Sequence, residues 1–316
     1  MDRMLSTQEV ADRLAVDTKT VRRYLQQGKL TGSRIGRDYR IPESAVASLL
    51  RRTSPVSPNG HETTACVVTA VVNQKGGVGK TTSTFNTAVG LHQLGRRVLM
   101  IDLDPQASLS ASAGIPVAHL KVSVYQALLD EAVDPLSVVR ETLSGVDILP
   151  ATIDLAAAEV ELVSVTLREL VLRDVLEKIR PRYDHILIDC PPSLGLLTIN
   201  ALAAADQVLI PLECEYLSTR GLTLLMQTLD KVKARLNRDL RIAGILPTMF
   251  DGRTTHAREI LAELRESFPG KVFDEPIKLS VRVKEAPAAG LSIFDYDPNH
   301  DVARAYRKLA EEVDRG

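Results

Sequence analysis

The 316-residue chain contains no tryptophan, and seven tyrosines and five phenylalanines are its only other large aromatics, so aliphatic side chains must fill its core. It has three cysteines, Cys66, Cys190 and Cys214, too scattered for a disulfide framework or a thiolate metal site. Each sits in or beside an apolar stretch and reads as a small buried hydrophobe. No apolar run reaches the ~18 residues of a membrane helix, and Met1 to Leu5 has neither the length nor the apolar core of a secretion signal. The expectation is a cytoplasmic protein with no membrane partner. Internal repeats and low-complexity tracts are also missing.

The net charge is only −1, yet residues 1–52 hold eleven Lys and Arg against six Asp and Glu. A small basic module on an acidic body points to nucleic acid as the module's partner. Residues 53–65, with two prolines, a glycine and little that could pack, read as a linker, leaving 66–316 as the main domain.

Within the main domain, apolar runs alternate with amphipathic helical patterns. Cys66 to Val72, Val98 to Asp102, Val146 to Leu149, His185 to Asp189, Val208 to Pro211 and Ile242 to Leu246 read as strands. Thr81 to Leu94, Leu167 to Ile179 and Thr219 to Leu236 read as helices. Strands this uniformly apolar are buried on both faces, which predicts an α/β fold with a mostly parallel sheet covered by helices on both sides. Ligands of such sheets bind at the carboxyl ends of the strands.

The first strand runs into Lys75-Gly76-Gly77-Val78-Gly79-Lys80-Thr81-Thr82, where a helix begins. Three glycines let the backbone fold tightly and aim successive N–H groups at phosphate oxygens in front of the helix dipole. Lys80 is placed to neutralise β- and γ-phosphates, the Thr81 hydroxyl to ligate magnesium, and Thr82 to meet a phosphate nearer the base. The usual first glycine is replaced by Gln74, and a second lysine, Lys75, stands at the start of the loop. Asp102 and Asp104 follow one strand and Asp189 ends another. Asp102 reads as structural or as a support behind the metal's ligands. The strand before Asp102 and Asp104 is expected beside the phosphate loop.

With Asn73-Gln74-Lys75-Gly76-Gly77-Val78-Gly79-Lys80-Thr81-Thr82, the chain resembles the ParA partition ATPases of the deviant Walker A class, over roughly residues 66–312. The resemblance implies a P-loop NTPase fold that uses ATP and Mg2+ and forms a homodimer bridged by ATP, with Lys75 reaching the partner's phosphates. It further implies that Asp104 positions the attacking water and organises the magnesium shell with Thr81. Asp189 would hold magnesium through water, and Pro191 to Gly195 would sense the γ-phosphate. Pro247 to Phe250, with Pro247 and Met249 as contacts, and Pro276 to Leu279 would frame the adenine, although Ile277-Lys278 departs from the family's usual Ile-Pro-Arg. Arg253 and Arg282 match arginines that bind DNA without sequence preference, and Lys231, Lys233, Arg235, Arg238 and Arg241 are expected to extend that surface. No strong general base is evident, so slow hydrolysis, stimulated by a ParB-like adaptor, is implied.

In the N-terminal module, Ser6 and Glu9 form a capping-box signature for a first helix with Val10, Ala11 and Leu14 on its apolar face. Asp17 is positioned to cap a second helix, Thr18 to Gln27, with Val21, Tyr24 and Leu25 inward. Ser33 to Ile35 and Tyr39 to Ile41 read as a hairpin wing turning at Gly36-Arg37-Asp38, and Pro42 as the start of a closing helix. The module resembles excisionase-like and MerR-like winged helix-turn-helix domains. Thr18, Lys19, Thr20, Arg22 and Arg23 are the groove-facing candidates, with Arg34, Arg37 and Arg40 on the wing. The whole predicts a nucleoid-associated partition ATPase for plasmid or chromosome DNA, with possible operator autorepression. A transcription regulator switched by ATP and a MinD-like positioning ATPase are the alternatives, the last disfavoured by a short, acid-rich C-terminus.

Overall fold

The computed structural model describes residues 4–14, 18, 21, 24–25, 30, 32–35, 38–42, 65–214 and 218–315. The chain divides into two compact units, Met1–Thr64 and Ala65–Gly316, each described here by itself. The stretch read as a linker lies, Ala65 apart, outside the described residues.

In the first unit, β1 (Met4–Ser6) leads into α1 (Thr7–Leu14), and β2 (Ser33–Ile35) pairs with β3 (Asp38–Pro42). The expected capping box is present, because Glu9 Oε2 accepts from the Ser6 N–H at 2.8 Å and Ser6 Oγ from the Glu9 N–H at 3.2 Å. Residues 18, 21, 24 and 25 are helical. Leu5, Val10, Ala11, Val21, Leu30 and Ile41 make a small core, with Tyr24, Leu25 and Tyr39 against it. The strand β1, not foreseen, pairs antiparallel with β3 through Leu5 and Ile41. Asp38 is a strand residue opposite Ile35, and Pro42 ends β3 opposite Met4; the closing helix expected after it lies outside the described residues.

The second unit runs β4 (Val67–Val71), α2 (Lys80–Gln93), β5 (Val98–Asp102), α3 (Ser108–Ser112), α4 (Val124–Leu129), α5 (Pro135–Val138), β6 (Arg140–Glu141) and β7 (Asp147–Leu149). It continues through α6 (Leu155–Glu161), α7 (Val171–Ile179), β8 (His185–Asp189), α8 (Leu196–Ala204), β9 (Gln207–Glu213) and α9 (Ser218–Arg235). The last elements are β10 (Arg241–Thr248), α10 (Thr255–Ser267), α11 (Val281–Glu285), α12 (Ile293–Tyr296) and α13 (Asp301–Arg315). The sheet order is β10-β9-β4-β8-β5-β7-β6, parallel throughout except for the short edge strand β6. The continuous apolar runs arise because alternate residues serve two cores. Val68, Ala70, Leu99, Ile101, Ile186 and Ile188 face one layer, while Val71, Val98, Met100 and Leu187 face the other.

Two expectations are corrected. The helix read from Leu167 starts at Val171, since Leu167 has φ 55°, outside helical backbone. The neighbour of β4 is β8, with β5 one strand further out, so Asp102 and Asp104 approach the loop from the second strand over.

The C-terminal helix α13 buries Val302, Ala305, Tyr306, Leu309, Ala310 and Val313. It lies close on α2, where a Cβ at Gly90 would stand 2.8 Å from Ala310 Cβ. That apolar face is consumed by the protein's own core. Among the described residues no helix is long and apolar enough to cross a membrane.

Candidate nucleotide site

Central strand β4 delivers the chain to the glycine loop at the carboxyl edge of the sheet. Gly77 (φ 77°) and Gly79 (φ 84°) adopt left-handed backbone that a side chain would strain, and Gly79 caps α2. The loop is closed from outside the motif. Buried Thr248, the last residue of β10, donates its hydroxyl to the Val78 carbonyl at 2.9 Å.

The two lysines of the loop are placed differently. Lys80 is 7% exposed and its ammonium donates to the Lys75 carbonyl at 3.2 Å. Burial lowers its pKa, opposed by the charge of Asp189. Lys75, by contrast, lies at the surface, its Nζ 2.6 Å from Glu213 Oε2 at the end of β9. The sequence reading assigned Glu213 no role, because 138 residues separate it from Lys75 and only the pairing of β4 with β9 unites them.

Opposite Lys80, the Thr81 hydroxyl donates to Asp189 Oδ2 at 2.6 Å, and Thr84 Oγ1 lies 3.4 Å from Asp189 Oδ1. Asp189 is fully buried, and burial followed by the charge of Asp102 pushes its pKa up to about 8. Asp102 is spent on structure, accepting from the Ser110 N–H (2.8 Å), the Ser110 hydroxyl (2.7 Å) and the Asp104 N–H (3.1 Å). Burial lifts its pKa to about 6 against those hydrogen bonds. Asp104 is half-buried, with Oδ1 accepting from the Gln106 N–H at 2.9 Å. Hydroxyl and carboxylate oxygens of this kind are hard ligands suited to magnesium.

A cleft of about 260 Å³ adjoins the loop, lined by Gly79, Thr82, Thr248, Met249 and Ile277 to Ser280 among others. Met249 has φ 51° at its rim. Pro247, expected as a contact, is not on the wall; its carbonyl instead accepts from the Ile277 N–H at 2.8 Å and so joins the two segments that flank the cleft. Thr248 takes its place. Tyr306 of α13 closes another side, its hydroxyl 3.3 Å from Ser83 Oγ.

Arg253 and Arg282, expected to meet DNA, are each paired within the chain. Arg253 is 89% exposed and bidentate on Asp251 (2.8 and 2.7 Å), and Arg282 meets Glu285 at 3.1 Å. Lys231, Lys233 and Arg235 lie on α9, Arg238 follows it, and Arg241 opens β10. Arg253 follows the far end of β10, a strand whose eight residues span about 23 Å. In the first unit, Thr18 is helical, Arg34 lies opposite Tyr39 on the wing, and Arg40 is exposed on β3. Lys19, Thr20, Arg22, Arg23 and Arg37 lie outside the described residues. All three thiols are held protonated by burial, Cys66 up to about 12, Cys214 up to about 11 and Cys190 well above its usual value; Cys66 is only half-buried.

Strand, glycine turn, buried lysine and flanking Thr81 and Asp189 together define a P-loop ATPase of the two-lysine kind. An AAA domain family model matches residues 66–242, and a helix-turn-helix domain model matches residues 4–54. The chain is 45% identical over 247 residues to the sporulation initiation inhibitor protein Soj of Bacillus subtilis, covering 78% of this chain and 97% of Soj. It is 44% identical over 248 residues to the chromosome partitioning protein ParA of Caulobacter vibrioides, covering 78% and 93%. A solved structure of cobyrinic acid a,c-diamide synthase from Mycobacterium smegmatis, with bound ADP and magnesium, is 40% identical with TM-score 0.70, covering 78% and 93%. The chain belongs to the Soj/ParA family of partition ATPases and carries a helix-turn-helix domain ahead of the ATPase domain.

Proposed function

We propose that the protein is an ATP-switched dimer that binds DNA and serves in partition of plasmid or chromosome DNA. The supporting observation is the division between the two lysines of one loop. Lys80 is buried beside Thr81 and Asp189, where a triphosphate's own charge is met. Lys75 lies outside that cradle at the surface. A second cation so placed suits the phosphates of a facing copy, which makes ATP part of the contact between protomers.

In this reading the glycine-loop amides and Lys80 bind the phosphates, Thr82 and Met249 stand on the base side, and Thr81, Asp189 and Asp104 hold magnesium. Magnesium, when bound, supplies charge neutralisation across the β- and γ-phosphates. Asp104 orients water for attack, and the chain otherwise works by positioning and electrostatics. With no strong base, turnover is slow, and a ParB-like adaptor accelerates it and releases the dimer from the nucleoid. Arg253 and Arg282 exchange weak surface ion pairs for phosphates of any duplex.

The helix-turn-helix unit favours an added, sequence-specific activity. Two copies in a dimer would read a palindromic or repeated operator and repress the protein's own synthesis. Deleting residues 1–52 tests this division of labour. Retention of an operator duplex is expected to disappear while ATP-dependent retention of random duplex survives; loss of both contradicts it. If no adaptor accelerates hydrolysis, the chain is instead a regulator that uses ATP only to dimerise.

A further inference from the structure

The contact between Lys75 and Glu213 is built into the sheet. Register pairs Thr69, Ala70 and Val71 of β4 with Gln207, Val208 and Leu209 of β9, and β9 runs on past the end of β4 to Glu213, which the same register sets level with Lys75. Asn73 then clasps the two ends, its Nδ2 donating to the Pro211 carbonyl at 2.7 Å and its Oδ1 accepting from the Lys75 N–H at 3.0 Å. Buried Asn73 thereby fixes the first residue of the glycine loop against β9, two residues before Glu213. Lys75 Nζ and Glu213 Oε2 meet at 2.6 Å with side chains 39% and 20% exposed. The carboxylate sits on a rigid strand end and the amine on the loop whose job is to meet phosphates.

We propose that Glu213 is a positioning residue for Lys75. In the nucleotide-free protomer it holds the ammonium in its own chain, and a facing triphosphate, with its higher charge, draws the ammonium away. The strength of this hold sets the ATP concentration at which two copies join. The inference rests on the reading that Lys75 reaches the partner's phosphates. Neutralising Glu213 removes a competitor without removing the lysine. A partly exposed ion pair of this kind is worth a factor of about two to five in an equilibrium, and salt screens it.

The test titrates full-length wild type and Glu213→Gln with magnesium and a non-hydrolysable ATP analogue, reading mass by sedimentation at about 0.05 M and about 1 M salt. At low salt Glu213→Gln is expected to reach half-dimer at an analogue concentration about two- to fivefold lower, with the difference closing at high salt. An equal or higher midpoint in Glu213→Gln overturns the inference. A second measurement follows acylation of the Lys75 amine in nucleotide-free protein by mass spectrometry. Reactivity should rise in Glu213→Gln and return toward wild type in Glu213→Asp; unchanged reactivity in Glu213→Gln overturns the hold. If wild type stays monomeric with the analogue, the proposed function fails, and the acylation rates still decide whether Glu213 holds Lys75.

Discussion

Asp314 is a carboxylate whose removal should cost the ATPase domain several contacts at once. From the last turn of α13 it accepts two bonds from Arg96, at 2.7 and 2.8 Å, and one from His185 Nε2 at 3.0 Å. Arg96 precedes β5 and His185 opens β8, so one group ties the C-terminal helix to two strands. In Asp314→Ala the bidentate charge-assisted pair is lost, worth about 1–2 kcal/mol at this partly exposed position. His185, 5% exposed and with Nδ1 already lacking a partner, then loses its other bond, adding about 1–2 kcal/mol. The expected loss is therefore about 2–4 kcal/mol near neutral pH.

The pH dependence has a definite sign. Burial lowers the His185 pKa more than Asp314 raises it, so below the unfolded value near 6.5 the unfolded chain takes up a proton that the folded chain resists. Stability falls as pH drops through that window. Burial would raise Asp314, but the hydrogen bonds from Arg96 and His185 outweigh it and hold the group low, so its own contribution is lost only in stronger acid. Without Asp314 a protonated His185 keeps only the charge of Asp184 against it, and the deficit of the variant should widen between pH 7.5 and pH 5.5. With no tryptophan to report, urea unfolding is best followed by far-ultraviolet circular dichroism at the two pH values. A deficit under about 0.5 kcal/mol, or one that narrows in acid, refutes the reasoning.

Other outcomes follow from single contacts. Thr248→Val keeps volume but leaves the Val78 carbonyl unpaired, and should cost about 1–3 kcal/mol and weaken ATP binding, read by urea unfolding and nucleotide titration. Gly290→Ala places a Cβ 2.9 Å from the Gly114 Cα at φ 67°, and should lose about 1–3 kcal/mol in the same unfolding assay. Asp189→Asn removes the charge beside Thr81 and should abolish magnesium-dependent turnover, measured as phosphate release, while the fold persists. Removing the charge of a fully buried carboxylate should also raise stability, a gain that builds as pH rises above the unfolded value near 3.8 and is complete by about 8, because the unfolded chain releases a proton that burial makes the folded chain keep.

What sequence disclosed was local or periodic. The doubled apolar pattern of β4, β5 and β8 announced a sheet covered on both faces, and the glycine loop announced its own strand and helix. Capping by Ser6 and Glu9 was legible because both partners lie within one turn. What stayed hidden was pairing across distance. Nothing near Lys75 names Glu213, and nothing near Val78 names Thr248; both partners come from strand ends whose order in the sheet is a tertiary outcome. The position of β5 beyond β8 and the separation of Arg241 from Arg253 were hidden for the same reason. Short edge elements such as β1 and β6 carry too few residues for any period to register.

The central claim is that ATP joins two copies through Lys75 and that the joined form holds DNA. Gel retardation of a random duplex by the full chain, with ATP or ADP and magnesium, tests it most directly. Retention by wild type in ATP but not ADP, lost in Lys75→Ala with nucleotide binding intact, is the predicted result; retention indifferent to nucleotide, or undiminished in Lys75→Ala, would contradict it.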